Sequence, residues 1–394
     1  MRTLKFGLIG TGYMGKSHAI ALHSVAAVFP LSVVVECEML ADITAQQAAV
    51  KAKEMGFSRA TGKWHELVND NEVDVVDICA PNGLHKDIAL AAIKARKHVY
   101  CEKPLALNAV DSLQMALSAE EAGVKTMVGF NYIKNPATQL AKQIIDSGEI
   151  GDIVHFRGTH NEDYLADASV PMNWRLKRAT AGAGALADLG SHIINVAQFL
   201  VGAISAVNGD LNTVIKERST AGSVIDKESV ENDDQAHAML RFNSGAIGTI
   251  EASRVAWGRK MGLTYEVTGS KGSIVFDQEH LAEIQLYTSD QKTSRQGFKR
   301  ILIGPEHPDY QNFCASAGHG VGYNDQKIIE VRDLIEGISR DQAIWPDFRA
   351  GYEVALIIDA IEESYRLGQW VHVSEVDSKT QSRLLHLEHG KEKN

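Results

Sequence analysis

In the stretch "GALADLGSHIIN", Asp188, His192 and Asn195 follow one another at spacings of four and three residues. On a helix those spacings bring a carboxylate, an imidazole and an amide onto one stripe. Such a face suits a polyol. Oxidising an alcohol requires removal of the hydroxyl proton while hydride leaves the carbon. Imidazole titrates near neutral pH, so His192 suits the role of base, with Asp188 beside it. A metal could use the same pair, but no convincing third ligand stands nearby and no metal is expected. A purely structural Asp/His pair is the plainer alternative. The second chemistry-bearing stretch is "CEKPLA", which sets Glu102, Lys103 and Pro104 at the end of an apolar run. If that run is a parallel strand, Lys103 stands at the edge where ligands bind. Pro104 stiffens the backbone that aims it. The alternative is a solvated surface lysine.

The loop "GTGYMGKS", Gly10 to Ser17, fits two phosphate-binding patterns at once. Gly10, Gly15, Lys16 and Ser17 satisfy the P-loop of nucleotide-hydrolysing proteins. Gly10, Gly12 and Gly15 satisfy the dinucleotide fingerprint G-x-G-x-x-G. A P-loop needs a second apolar run ending in a magnesium-binding Asp, and "VDVVD" is only an imitation, interrupted by Asp74. The dinucleotide reading needs an acidic residue at the end of the second strand, and Asp42 of "EMLADI" supplies it. Asp42 lies further beyond Gly15 than the usual spacing, and "FPLSVVVECE" is expected to loop out the extra length. The carboxylate would repel a 2′-phosphate, so NAD is favoured over NADP. The alternative for Asp42 is an N-cap for the helix that follows. The cofactor-binding set from this loop is Gly10, Gly12, Tyr13, Met14 and Gly15, with Asp42; Lys16 and Ser17 become ordinary first-turn residues.

These residues need a scaffold. Up to "KTMVGF" the chain alternates short apolar runs with helical patterns, the rhythm of parallel strands with right-handed crossovers. From about Pro136 the pattern changes. A helix and the strand "VHFRGTH" lead to a glycine-rich loop and a helix from about Leu186 to Val201. Period-two segments follow: "HAMLRF", "AIGTIEASRVA", "LTYEVTGS", "GSIVFD", "EIQLYTS" and "RILIG". Two helices, near 326–337 and 351–367, close the chain, and the polar tail from Ser374 is expected to be exposed. The predicted fold is an α/β Rossmann domain, a doubly wound parallel sheet, over residues 1–134. It is followed at 135–394 by an α+β domain with an open, mostly antiparallel sheet.

Composition narrows the partners. The 394-residue chain carries a formal net charge of -10, which disfavours nucleic acid and anionic membranes, since both require a basic footprint. Its four cysteines form no C-x-x-C pair, so neither a disulfide framework nor a zinc site is expected. "MRTLKFGLIGTG" does not read as a signal peptide, and no apolar run reaches the roughly 18 residues of a membrane span. A cytoplasmic location is expected.

Five stretches in this order resemble the Gfo/Idh/MocA oxidoreductase family: "GLIGTGYMGKSHA", "APNGLH", "CEKPLA", "GFNYIKNPA" and "WR…GAGALADLGSH". The likeness spans nearly the whole chain. It implies that Lys103 bonds the reacting hydroxyl, His192 is the acid/base, and Asp188 holds substrate and tunes the pair. It places Pro81, Asn82 and His85 along the cofactor cleft, and Glu102 and Asn131 near the nicotinamide. Asn195 stands where the family often has Asp, and Tyr132 where an arginine is common. "GTHNEDYLADASVPMNWR" and "GHGVGYNDQKIIE" look most like the family's levoglucosan dehydrogenase-like branch, which oxidises the C3 hydroxyl of an anhydro-sugar. On that likeness Tyr132, His160, Glu162, Asp163, Tyr164, Trp174 and Arg175 line a sugar pocket; a polar surface loop and a packing tryptophan are the alternatives. The expected reaction is NAD-dependent oxidation of a sugar, anhydro-sugar or cyclitol, in a homodimer or homotetramer built through the second sheet. Two rivals stay open: a redox-neutral glycosidase holding NAD tightly, and a sensor that binds NAD and sugar without turnover.

Overall fold

Short apolar runs become parallel strands here because both faces of their sheet are covered by helices. The computed structural model describes residues 2–220, 222 and 225–391. The chain opens with β1 (Thr3–Ile9), α1 (Tyr13–Val28), β2 (Val34–Ala41), α2 (Ala45–Met55), β3 (Arg59–Thr61), α3 (Trp64–Val68), β4 (Val75–Ile78), α4 (His85–Lys94), β5 (His98–Cys101), α5 (Ala109–Ala122) and β6 (Thr126–Val128). The strands form one sheet in the order β3-β2-β1-β4-β5-β6, parallel throughout, which is the doubly wound dinucleotide-binding order. Local chemistry sets the helix ends. Thr44 and Asn108 cap α2 and α5 by accepting Gln47 N (3.1 Å) and Asp111 N (2.9 Å). Gly56 and Gly123 end them in the left-handed conformation. One expectation is corrected. "VVECE" is not looped out, because Val34 onward pairs with β1 from Thr3; only residues 29–33 connect α1 to β2.

The chain continues through α6 (Pro136–Asp146), β7 (Ile153–Asn161), the short α7 (Arg178–Ala181), a π turn (Leu186–Gly190), α8 (Ser191–Val201), β8 (Ile204–Asn212), β9 (Glu217–Ser219), β10 (Lys227–Ser229), β11 (Gln235–Phe242), β12 (Ile247–Ser253), β13 (Gly262–Gly269), β14 (Gly272–Asp277), β15 (Glu283–Thr288), β16 (Lys299–Leu302) and α9 (Tyr310–Phe313). It ends with α10 (Tyr323–Ser339), α11 (Phe348–Leu367), β17 (Val371–His372) and α12 (Val373–Lys391). Nine strands form the second sheet in the order β16-β15-β14-β13-β7-β12-β11-β8-β17. Its neighbours are antiparallel except for β7 and β12. β11 alternates buried and open residues along its length, the period-two pattern of a sheet with one covered face. Helices supply that cover: a side chain on Gly158 of β7 would meet Ile193 of α8, and one on Gly209 of β8 would meet Ile361 of α11.

Two compact units result. The first holds residues 2–134 together with Gly322–Glu353; the second holds Asn135–Val321 and the chain from Val354. α10 thus belongs to the nucleotide-type unit, although its sequence position lies far beyond Lys134. The segment from Ser374 is exposed at most positions, as expected, but it is helical and docked by one stripe. Val376, Thr380 and Leu384 are buried, one stripe at spacings of four. The stretch Arg178–Val201 is long and apolar enough to cross a membrane by composition, yet 78% of its apolar window is buried inside the protein. It is a core element of the second unit.

Candidate active site

In the first unit the glycine loop has the geometry that a dinucleotide requires. Gly10 has φ +98°, and a Cβ on it would lie 2.5 Å from Cys79 O. A Cβ on Gly15 would lie 2.0 Å from Gly10 O, whereas one on Gly12 would meet nothing within 4 Å. Gly12 is also the N-cap of α1, and no side chain caps the helix there. The first turn therefore presents backbone N–H groups to open space, the arrangement that receives a pyrophosphate. Asp42 directly follows β2 beside this loop. Thr11 Oγ1 donates to its Oδ2 and Ile43 N to its Oδ1 (2.6 Å). The cap of α2 is Thr44, which rules out the capping alternative for Asp42. Ser17 is not an ordinary first-turn residue: it is buried and donates to Asn324 Oδ1 at 2.7 Å.

Glu102, Lys103 and Pro104 follow β5 at the carboxyl edge of the sheet, with a cis peptide between Lys103 and Pro104. His85 is buried between two carbonyls, with Nε2 2.8 Å from Ala80 O and Nδ1 2.9 Å from Pro104 O. Burial pushes its pKa down, and the ring lies between the "APNGLH" loop and the lysine turn, where the nitrogen that carries the proton donates to its carbonyl. Pro81 is exposed and Asn82 half-buried on that loop. Asn131 is buried, and its Nδ2 donates to Gln326 Oε1 at 3.2 Å. Tyr132 and the exposed Tyr13 both flank Tyr323 of α10, with ring centroids 6.2 and 6.0 Å away, and Tyr323 OH lies 3.3 Å from Met14 Sδ.

Beneath Glu102 lies a charge network that the sequence patterns did not reveal. His18 Nδ1 meets Asp77 Oδ1 at 2.8 Å, and His18 Nε2 meets Glu102 Oε1 at 3.0 Å. Lys327 Nζ donates to Glu102 Oε1 (2.6 Å) and to Glu330 Oε2 (2.9 Å). Tyr100 OH donates to Glu330 Oε2. Burial works against a charged His18, but Asp77 and Glu102 outweigh it and push the pKa up to about 9. Burial would raise the Glu102 pKa, yet Lys327 and His18 hold it well below the usual range. His18, Asp77 and Cys79 bring potential metal ligands within 4.8 Å of one another. Burial, however, lifts the Cys79 thiol well above its ordinary pKa, and His18 is engaged with carboxylates. In the sequence, the only hint was polar residues inside apolar runs: Asp77 in "VDVVDICAP", and Lys327 and Glu330 around "II" in "QKIIEV".

In the second unit the glycine-rich loop exists to admit Asp233. Its carboxylate accepts Gly184 N (2.6 Å) and Leu186 N (2.8 Å), and a Cβ on Gly184 would lie 1.9 Å from Asp233 O. These bonds hold the start of the π turn that carries Asp188. The expected single stripe is corrected here. The π turn shifts the helical register before α8, and burial separates the three residues. His192 and Asn195 are buried, while the Asp188 side chain is 27% exposed. Tyr164 OH donates to Asp188 Oδ2 at 2.7 Å, and Arg175 Nε lies 3.8 Å from the same oxygen. The His192 ring faces His160, with centroids 5.5 Å apart. His160 is buried, with Nδ1 3.1 Å from Leu189 O and Nε2 3.3 Å from Glu162 Oε1. The Arg175 guanidinium stacks over Trp174 at 4.4 Å. Asp163 is engaged elsewhere: it accepts Gly258 N (3.1 Å) and Lys260 Nζ (2.6 Å), which pins a loop. Asp188, Tyr164 and Arg175 thus form one polar group on the second unit, and His192 and His160 form another.

Known proteins share this build. Residues 4–130 match the model of an oxidoreductase family with an NAD-binding Rossmann fold, and residues 138–275 match the GFO/IDH/MocA C-terminal domain. Levoglucosan dehydrogenase of Pseudarthrobacter phenanthrenivorans is 39% identical over 390 residues, covering 96% of this chain and all of that protein. Myo-inositol 2-dehydrogenase of Thermotoga maritima is 29% identical and covers 74% of this chain and 80% of its own. A solved levoglucosan dehydrogenase in complex with NADH and levoglucosan superposes with a TM-score of 0.92 at 40% identity, covering 94% of this chain and 100% of that one. An NAD-binding oxidoreductase from Klebsiella pneumoniae gives a TM-score of 0.91 at 44% identity, covering 95% and 99%.

Proposed function

The chain belongs to the GFO/IDH/MocA oxidoreductase family and is an NAD-dependent dehydrogenase acting on a hydroxyl of a sugar, anhydro-sugar or cyclitol; from that premise we propose that its substrate is an anhydro-sugar of the levoglucosan kind. The observation that carries this reading is the likeness to levoglucosan dehydrogenase, which covers 96% of this chain and all of that protein.

The residue roles follow from the chemistry of the two clusters. Gly10, Gly12 and Gly15 with the first turn of α1 hold the pyrophosphate, and Asp42 takes the adenosine ribose hydroxyls. When bound, NAD supplies the hydride acceptor. His192 is the base that removes the hydroxyl proton, and Lys103 is a hydrogen-bond donor to the substrate. Asp188, which accepts from Tyr164, binds a sugar hydroxyl and stabilises the imidazolium that forms. Arg175, stacked on Trp174, adds a planar donor beside it. The open face of the second sheet exposes Met239 and Ile247 and is the surface through which a homodimer or homotetramer assembles. A cytoplasmic place of action fits the use of NAD as oxidant.

The test is NADH formation with levoglucosan, common monosaccharides and inositols. Turnover on the anhydro-sugar at a kcat/KM at least about tenfold above the others supports the assignment. Preference for an inositol overturns it. No turnover with any of them, with NAD retained through purification, points to redox-neutral chemistry instead. The cofactor assignment makes its own prediction. Asp42→Ala removes an acceptor for the ribose, a charged hydrogen bond of about 1.5–3 kcal/mol, so KM for NAD rises roughly 10–100-fold. The kcat at saturating NAD changes little, and the preference for NAD over NADP narrows. An unchanged NAD/NADP ratio in initial-rate measurements would contradict the role of Asp42.

A further inference from the structure

Lys327 and Glu102 stand 225 residues apart in the sequence, and the reaction described above uses neither the lysine nor its helix. Lys327 is wholly buried on α10, as is Glu330 one turn on. Burying charge costs several kcal/mol per ion, and apolar residues of similar size would be cheaper. The arrangement of bonds shows what the charges do. Glu102 Oε1 takes both His18 Nε2 and Lys327 Nζ. The other oxygen, Oε2, accepts the backbone N–H of Lys103 at 3.2 Å. Gly129 leaves the room: a Cβ there would lie 2.6 Å from Glu102 Oε1 and 3.1 Å from Lys327 Nζ. Tyr100 OH and Lys327 share Glu330 Oε2, so the ammonium cannot swing away without leaving two buried carboxylates without their lysine. The helix carrying it is fixed at its start, where Asn324 accepts from Ser17 (2.7 Å) and Gln326 accepts from Asn131 (3.2 Å).

We propose that Lys327 is a positioning residue for the lysine turn: by locking one oxygen of Glu102 inward, it leaves the other to hold the Lys103 backbone and so aims the Lys103 side chain. The proposal rests on the role given to Lys103 above. A salt bridge that only stabilised the unit would not need its carboxylate to touch the next residue's amide. The pairing of a deeply buried cation with the residue preceding the acting lysine makes α10 a part of the machinery, although it touches neither substrate nor reacting atom. The effect should therefore fall on kcat, through misplacement of Lys103, rather than on substrate affinity.

The experiment combines hydrogen exchange with kinetics. In the wild type without NAD, the Lys103 amide should exchange at least about 100-fold more slowly than an unstructured chain. An unprotected amide overturns the proposal whatever the variants do. The charge-balanced double variant Lys327→Met/Glu330→Gln is then compared with Glu330→Gln, which keeps the ammonium on Glu102. The double variant should lose Lys103 amide protection and about 10–100-fold in kcat, with KM for the sugar within about threefold. Glu330→Gln should lose far less of both. A folded double variant that keeps the protection and the kcat overturns the proposal. The exchange readout needs no turnover. If no sugar is oxidised but protection depends on Lys327, the assigned activity fails while the positioning stands; if Lys103→Ala is inactive but protection ignores Lys327, the reverse holds.

Discussion

The His192→Ala variant is expected to lose roughly 10²–10⁴-fold in kcat, the range that a positioned general base contributes, while KM for NAD stays within about threefold. His192 is buried at the start of α8, opposite His160, and His160 is held by Leu189 O. The imidazole is therefore packed inside the second unit against His160. Glutamine at position 192 should not restore the rate, since an amide cannot accept a proton at neutral pH. Lys103→Ala should cost a comparable factor. If both side chains act on one hydroxyl, the double variant should lose much less than the product of the two single losses, as groups that act as a unit do. Steady-state rates of the four proteins measure this cycle. A His192→Ala enzyme within threefold of the wild type would remove His192 from the chemistry.

The largest expected loss of stability is at Arg254. Its side chain is buried, with Nε 2.9 Å from Asp234 Oδ1 and Nη2 2.9 Å from Asn232 Oδ1. Asp234 is buried too, and its Oδ2 also accepts Val214 N (2.8 Å) and Ile215 N (2.9 Å). Arg254→Met therefore leaves a carboxylate in the core without its ion-pair partner, a change that costs about 3–5 kcal/mol. Arg218 lies close enough to Asp234 for their charges to interact, which argues for the lower end. At about 2–4 °C per kcal/mol for a unit of this size, the Tm should fall by roughly 6–12 °C. Arg254→Met/Asp234→Asn, which removes both charges, should recover part of that. A loss below about 1 kcal/mol would show that water reaches the pair. Arg254 Nη1 also reaches Arg175 O at 3.3 Å, so kcat/KM for the sugar should fall alongside Tm.

Much of the scaffold was legible before any coordinates. Gly10, Gly12 and Gly15 announce their loop by spacing, Gly10 and Gly15 because a side chain there would clash with backbone, and β11 announces itself by alternation. The alternating strands of the second sheet were readable for the same reason. Three segments took a form that tertiary context decided. "VVECE" carries Glu36 and Glu38 among its apolar residues, yet pairing with β1 makes it strand. The segment after Ser374 is polar on most faces, yet a stripe of three buried residues docks it as α12. The Asp188–His192 spacing suggested one helical face, but Asp233 fastens the turn so that a π turn precedes α8.

The sequence by itself determined what depends on neighbours along the chain: the glycine loop, the capping residues, the order of strands and helices, and the residue types at the lysine turn and the histidine helix. Only the tertiary structure decided which buried charges pair. That Lys327 answers Glu102, that His18 joins Asp77 to the same carboxylate, and that Arg254 answers Asp234 leaves no trace in periodicity, because a hydrogen bond across the fold depends on distance in space and not on spacing in the chain.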